Sequence, residues 1–224
     1  MSLVYMMSDT HFQHKNICKF RTQFVSIEHH DATLLNNILD TVGKRDTLWL
    51  LGDTFMPHDA ESLTACVDIY HELHNNVGNL RFILGNHCTD NPYRNMMIRY
   101  INQDHDVHSL VKYKGCWLSH VPIHPSELRG KFNIYGHTHN NKVDDHRYYP
   151  VSCEHIDYKP KKFEDIIKEL RANMRKQDIL DEVFEDEWEA TWDEYEKSQD
   201  LNDYIQSNYS EYTNHAKQEG WDYE

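Results

Sequence analysis

Residues 3–11 read Leu-Val-Tyr-Met-Met-Ser-Asp-Thr-His, an apolar run that stops abruptly at polar residues. A short apolar run of this kind is typical of a strand buried inside a sheet. Similar runs occur at residues 47–51, 80–84, 116–118 and 132–135, and further strands are expected at 107–113 and 148–153. We therefore predict a sheet protein with buried strands.

Helical patterns separate the early strands. Apolar residues spaced three or four apart predict helices over residues 34–42 and 63–73, and another over residues 163–174. A further helix is expected to start at Pro92 with Asn91 as its N-cap, and to bury Met96 and Met97. The alternation of strands and helices indicates the α/β class.

A polar cluster rich in metal-ligand types follows each of the five strands. Ligands gather at the carboxyl ends of strands in open α/β sheets, and alternation along an extended segment would point both residues of a D-x-H or H-x-H pair the same way. Two pairs and three single ligands suit two metal ions. The candidate metal ligands are Asp9, His11, Asp53, Asn86, His120, His137 and His139.

The order D-x-H, G-D, G-N-H, H and G-H-x-H resembles the calcineurin-like metallophosphoesterases, above all the small bacterial and bacteriophage phosphoesterases. The match spans residues 9–139. This resemblance implies a four-layer α/β/β/α sandwich, here with a C-terminal helical acidic extension. It also implies metal-dependent hydrolysis of phosphate esters.

The resemblance further implies how the ligands divide. Asp9, His11, Asp53 and His139 would hold one ion, and Asp53, Asn86, His120 and His137 the other. Asp53 would then join both ions, with a bridging hydroxide as the nucleophile. Mixed nitrogen and oxygen ligation suits two divalent transition metal ions, with Mn expected first and Fe, Zn or Ni as alternatives.

His87 follows the ligand Asn86 and is the expected catalytic partner of Asp53. In the family the matching histidine contacts the phosphate and helps to protonate the leaving oxygen. The family usually has Asp or Glu next, whereas this chain has Cys88, so we expect Asp90 to substitute for that carboxylate. Four residues close in sequence to ligands could also contact a substrate, although simple surface placement explains them equally well: His14, Lys15, Asn16 and His124.

Charge divides the chain into two parts. The formal charge is −14, and residues 178–224 carry all of it, with 16 acidic and two basic residues. Residues 1–177 are the expected metallophosphoesterase domain, and 178–224 an acidic, amphipathic helical tail with Trp188 and Trp192 on its apolar stripe. That stripe would pack on the domain, in a homo-oligomer or against a protein partner.

The same composition restricts location and partners. Five cysteines, an odd number without a C-x-x-C pair, are typical of a reducing compartment, so we expect a cytoplasmic protein. The N-terminal apolar run, residues 3–7, lacks a basic region before it and is far shorter than a signal segment or a membrane span, so neither export nor membrane binding is expected. An acidic tail and a neutral domain argue against long nucleic acids as ligands.

The sequence favours one of four functions. A phosphodiesterase or phosphatase acting on small nucleotide-type substrates is favoured. A protein serine/threonine phosphatase would carry V-D-R-G after Gly-Asp, where this chain has Thr54-Phe55-Met56-Pro57. A DNA nuclease would need a cationic surface. A non-enzymatic binding protein acting through its acidic tail conflicts with the complete ligand set.

Overall fold

The computed structural model describes residues 2–176, which form two sheets and their covering helices. In chain order the strands are β1 (Val4–Met7), β2 (Thr47–Leu51), β3 (Asn79–Ile83), β4 (Val107–His108), β5 (Leu110–Tyr113), β6 (Cys116–Ser119), β7 (Phe132–Tyr135), β8 (Tyr148–Pro150) and β9 (Lys161–Lys162). The helices are α1 (Ile17–Phe20), α2 (Ile27–Thr41), α3 (Ala60–Asn76), α4 (Pro92–Ile101) and α5 (residues 163–176). The α/β class is thereby confirmed.

The first sheet has the strand order β4-β3-β2-β1-β9, and the second has the order β5-β6-β7-β8. Strands β1 to β4 are parallel, and β9 runs antiparallel to β1. In the second sheet β5 is antiparallel to β6, while β6, β7 and β8 are parallel. Parallel pairing brings the carboxyl ends of β1, β2 and β3 to one edge, where the polar clusters begin.

The two sheets share one hydrophobic core. It contains the fully buried Met6 and Leu50 of the first sheet and Leu118 and Ile134 of the second. Burying apolar side chains stabilises a fold by roughly 1.5–3 kcal/mol each, so this shared core fixes the sheets against each other.

Backbone hydrogen bonds join the two sheets beside the polar edge. The Ser8 N–H donates to the Val151 carbonyl at 2.8 Å, and the Cys153 N–H donates to the Ser8 carbonyl at 3.1 Å. The chain leaving β1 is therefore tied to the chain leaving β8. Residues far apart in sequence meet here on a rigid frame.

Two details differ from the sequence prediction. The run 107–113 is two strands in different sheets, because His108 pairs with Ile83 whereas Leu110 pairs with Ser119. The predicted cap of α4 is confirmed, since the Asn91 side chain accepts from the Arg94 N–H. Met96, however, is 54% exposed and is not a core residue.

The tail prediction for residues 178–224 lies outside the described residues. Within residues 2–176, no helix combines the length and the apolar character needed to span a bilayer. All five cysteines lie in this part of the chain and are free thiols.

Candidate metal centre

The side chains predicted to bind metal converge at the shared edge of the sheets. Two groups have potential ligand atoms within 4.8 Å of one another: Asp9, His11 and His139 form one, and Asp9, Asp53 and His120 form the other. Asp9 belongs to both groups, whereas the family pattern would have Asp53 shared. The predicted sharing of Asp53 stays a prediction.

Asp9 lies at the centre of the cluster and is fully buried. Its Oδ2 atom accepts from the His137 N–H at 2.8 Å, but its Oδ1 atom has no hydrogen-bond partner among the described residues. Nε2 atoms surround Oδ1 at 3.7 Å (His11), 3.9 Å (His139) and 4.0 Å (His120). These atoms face a common point without hydrogen-bonding each other.

Asp53 and His120 form the second side of the cluster. The Nε2 atom of His120 lies 3.2 Å from Asp53 Oδ2, and its Nδ1 atom lies 2.9 Å from the Leu51 carbonyl. Because a carbonyl can only accept, Nδ1 carries a proton, and in the neutral ring Nε2 is the nitrogen without one and faces the cluster. The fold thus selects the His120 tautomer that can bind a metal.

Asn86 completes the predicted ligand set. Its Oδ1 atom lies 2.9 Å from both His120 Nε2 and His137 Nδ1. An amide oxygen and two imidazole nitrogens therefore meet at the open side of the site, where His137 is exposed. All seven predicted ligands are brought together.

The backbone at these residues is unusual. Among the seven candidate ligands, the φ angles of five lie in the left-handed region, from 47° to 71°: Asp9, His11, Asp53, His137 and His139. Each such residue costs roughly 1–3 kcal/mol, and such strain clusters at functional sites. The predicted reason for convergence was therefore wrong, because the D-x-H and H-x-H pairs are not extended and alternation does not orient them.

Glycines allow the loops to approach the ligands. A Cβ atom on Gly52 would lie 2.4 Å from the His120 ring, and one on Gly136 would lie 2.5 Å from Asp9 Oδ2. Real Cβ atoms do not come so close to other heavy atoms. Glycine is thus required at these positions by contact with the candidate ligands.

The electrostatics of the cluster favour ionised carboxylates and a neutral imidazole. Burial alone would raise the pKa of Asp9, but the neighbouring imidazoles of His11, His120 and His139 hold that pKa well below its usual range. Burial lowers the pKa of His11. Burial acts in the same direction on His120 but is outweighed by the Asp53 carboxylate, which raises the pKa, and the Glu154 carboxylate raises the pKa of His139. Asp9 and His11 thus favour the ionised and neutral forms that bind a metal.

His87 lies beside the cluster with a half-exposed side chain. Its backbone N–H donates to Asp53 Oδ1 at 3.0 Å, and the Nδ1 atom of its ring hydrogen-bonds Asp90 Oδ2. Arg94 Nη1 donates to the same Asp90 oxygen at 3.2 Å. Asp90 therefore orients His87, as expected from the sequence.

Cys88 is buried next to the candidate ligand Asp53. Its Sγ atom accepts from the Gly85 N–H at 3.2 Å and lies 3.8 Å from Asp53 Oδ1. Burial raises its pKa to about 11. A protonated, buried thiol does not act as a nucleophile at neutral pH.

Two residues in the site were missed by the sequence analysis. Glu154 Oε1 lies 3.0 Å from Nδ1 of the candidate ligand His139, and Arg21 donates to the Asp9 carbonyl at 2.7 Å. Arg21 and Glu154 also pair with each other although they are 133 residues apart. No local motif marks such a pair.

The other histidines proposed as substrate contacts differ in position. The His14 ring lies edge-on to His11 at 5.5 Å, and its Nδ1 atom is buried without a hydrogen-bond partner among the described residues. His124 Nδ1 instead contacts the Ser126 hydroxyl. His14 is thus placed at the cluster, and His124 caps a short turn.

The chain matches no protein-family profile. It is 26% identical over 180 residues to an uncharacterized protein of Methanocaldococcus jannaschii, covering 75% of this chain and 91% of that protein. It is 29% identical over 170 residues to the gene 66 protein of Mycobacterium phage L5, and the match covers 64% of this chain and 80% of the phage protein. A solved protein of unknown function from Aquifex aeolicus shares the fold, with a TM-score of 0.56 at 24% identity over 75% of this chain and 99% of that one.

Proposed function

We propose that the chain is a calcineurin-like metallophosphoesterase, with the four-layer sandwich of that family, which hydrolyses phosphate esters with two divalent transition metal ions. The observation that carries the proposal is a set of buried polar atoms without partners. Asp9 Oδ1 and both ring nitrogens of His11 have no hydrogen-bond partner among the described residues. A bound metal ion would provide a partner for Asp9 Oδ1 and for one of the two His11 nitrogens.

The residues at the site fit bound cations. A buried ionised carboxylate and a buried imidazole without partners cost several kcal/mol if nothing binds them. Carboxylate, imidazole and amide donors are the ligand types that Mn, Fe, Zn and Ni accept. We propose that Asp9, His11, Asp53 and His139 would hold one ion.

The second ion would be held by Asp53, Asn86, His120 and His137. Two such ions lower the pKa of water and offset the negative charge of phosphoryl oxygens. The chain's own contribution is positioning. His120 is oriented by the Leu51 carbonyl, and five ligands are held on a strained backbone that is preorganised for this arrangement.

His87 is proposed to act on the leaving oxygen. Its backbone is fixed by Asp53 and its ring by Asp90, which contacts Nδ1. Because Nδ1 is the ring nitrogen that contacts Asp90, Nε2 is the one that can contact a substrate. The half-exposed ring leaves room for that contact. An imidazole in this position can hydrogen-bond a phosphate and deliver a proton, with an effect of roughly 10²- to 10⁴-fold.

Small phosphodiesters or phosphomonoesters, such as nucleotides, are the proposed substrates. Residues 1–177 have a formal net charge of zero. This disfavours the alternative of a DNA nuclease, because binding along a polyanion needs a cationic surface. A cytoplasmic location is part of the proposal, because the five cysteines are free thiols. A protein partner or second copy at the acidic tail also remains a proposal.

The test is a substrate panel with the Mn-loaded chain. It includes a chromogenic monoester and diester, cyclic nucleotides, dinucleotides and single-stranded DNA, with Asp53→Asn as the matched inactive variant. We expect turnover of at least one small ester, lost on chelation and restored by Mn²⁺. Equal turnover by wild type and Asp53→Asn, or no turnover by the metal-loaded wild type, would overturn the proposed function.

A further inference from the structure

Arg21 is a buried cation immediately behind the candidate metal centre. It is only 2% exposed, and follows the four-residue helix α1. A buried guanidinium is costly unless its N–H groups are hydrogen-bonded. The partners of Arg21 therefore indicate what keeps it there.

Two of these partners are backbone carbonyls of the D-x-H loop. Arg21 Nη2 donates to the Asp9 carbonyl at 2.7 Å, and Nη1 donates to the Thr10 carbonyl at 3.3 Å. The φ angles on either side, at Asp9 and His11, are 58° and 52°. Arg21 thus stabilises a loop whose backbone is held in an unfavourable conformation.

The third partner leads to the other end of the ligand set. Arg21 Nε donates to Glu154 Oε1 at 2.9 Å, and this same oxygen lies 3.0 Å from His139 Nδ1. Because a carboxylate only accepts, the hydrogen bond requires a proton on His139 Nδ1. In the neutral imidazole, Nε2 is then the nitrogen without a proton, and it lies 3.9 Å from Asp9 Oδ1.

The network continues away from the site. Arg21 Nη1 lies 2.9 Å from His30 Nε2, and His30 Nδ1 lies 2.7 Å from Asp31 Oδ1. Asp31 Oδ2 accepts from the backbone and side chain of Gln13, at 2.9 Å each. The far side of Arg21 is thereby anchored to α2, so the guanidinium is held from both sides.

Resting on the proposed function, we infer that Glu154, held by Arg21, is a positioning residue that selects Nε2 of His139 as a metal ligand. It acts on the ion-binding group Asp9, His11 and His139 and not on the group that contains His120. In the described residues His120 obtains the same tautomer from a different source, the Leu51 carbonyl. The two proposed metal ions are consequently separable by mutation.

The expected loss of metal affinity can be estimated from other metal sites in which a carboxylate orients a ligating histidine. Removing a carboxylate that orients a ligating histidine typically weakens metal affinity by about 10- to 100-fold. In Glu154→Ala we expect a loss of this size for one ion, with the affinity for the second ion within about threefold of wild type. Glu154→Gln keeps an acceptor for the His139 N–H and should recover much of the loss.

The experiment is titration calorimetry of the full apo chain with Mn²⁺ alone. Wild type, Glu154→Ala, Glu154→Gln and Arg21→Lys are compared with the control Glu127→Ala, which removes a surface ion pair with Arg129. Arg21→Lys keeps the charge but has one nitrogen in place of three, so we expect the same single-site loss. Circular dichroism of each apo variant establishes folding, and Arg21→Lys, which leaves Glu154 in place, keeps the test informative if Glu154→Ala does not fold.

The outcomes separate this inference from the proposed function. A one-site loss in Glu154→Ala and Arg21→Lys that is largely recovered in Glu154→Gln supports it, even if wild type hydrolyses no ester. Unchanged affinity of Glu154→Ala and Arg21→Lys at both sites, or an equal loss at both, overturns it. Wild type that binds no Mn²⁺ overturns this inference and the proposed function together.

Discussion

Gly85 lies so close to Asp53 that a Cβ atom on residue 85 would be 2.1 Å from Asp53 Oδ1 and 2.4 Å from the Asp53 backbone nitrogen. The loop after β3 therefore packs directly against the carboxylate that follows β2. Neither atom is the end of a long flexible side chain, so neither can move away at low cost. Asp53 can occupy its position only because residue 85 is a glycine and has no Cβ atom.

The first prediction is that Gly85→Ala displaces Asp53. We expect Mn²⁺ affinity and turnover to fall by about tenfold or more, because Asp53 contributes to one of the two ligand groups. Gly43→Ala is the control, since its added Cβ would meet only Asp46 Oδ2, at 3.4 Å. Calorimetry and steady-state kinetics measure the effect, and normal affinity in Gly85→Ala would contradict the packing described here.

The second prediction concerns His87. Changing His87 to Ala should leave both metal ions bound but lower kcat by at least about tenfold, because the side chain contacts Asp90 and no candidate ligand atom. His71→Ala, an exposed histidine on α3, is the control. Wild-type turnover by the His87 variant would remove it from the proposed reaction.

The third prediction tests the role of Cys88. Cys88→Ser should retain activity within about threefold, since the hydroxyl can accept from the Gly85 N–H and donate toward Asp53 as the thiol does. The thiol pKa is raised to about 11, so wild type keeps it protonated at neutral pH. A loss of activity beyond a hundredfold, with metal content unchanged, would indicate covalent catalysis by Cys88.

The fourth prediction concerns residues 178–224. A chain ending at Gln177 should bind metal and hydrolyse a small chromogenic diester as the full chain does, because all seven candidate ligands lie between residues 9 and 139. Its formal charge becomes zero, which should lower its solubility. Metal content, turnover and light scattering make the comparison. A folded, metal-loaded but inactive shorter chain would place the tail in the active site.

Much of the fold follows from local sequence patterns. Short apolar runs located the five central strands, and Asn91 with Pro92 marked the start of α4. The division of residues 107–113 between two sheets was not predictable, because Ser109 separates two strands whose partners are decided by the whole fold. An apolar run shows burial but does not show which sheet a strand joins.

For the candidate site, too, local sequence predicted some features and tertiary contacts decided the others. The ligand types and their order were visible in the sequence, and Asp90 was correctly expected to replace the carboxylate absent at Cys88. The left-handed backbone at Asp9 and His11 was missed, because φ depends on tertiary packing. Arg21 and Glu154 were missed for a related reason, since a pair 133 residues apart leaves no local pattern.

The fifth prediction is the central one and concerns metal stoichiometry. Elemental analysis of the full chain, after Mn²⁺ reconstitution and removal of unbound ions, should give two ions per chain. Asp53→Asn should give one or none, while the exposed-surface control Asp68→Asn should give two. A wild-type chain that is folded yet binds one ion or none would contradict the two-metal centre.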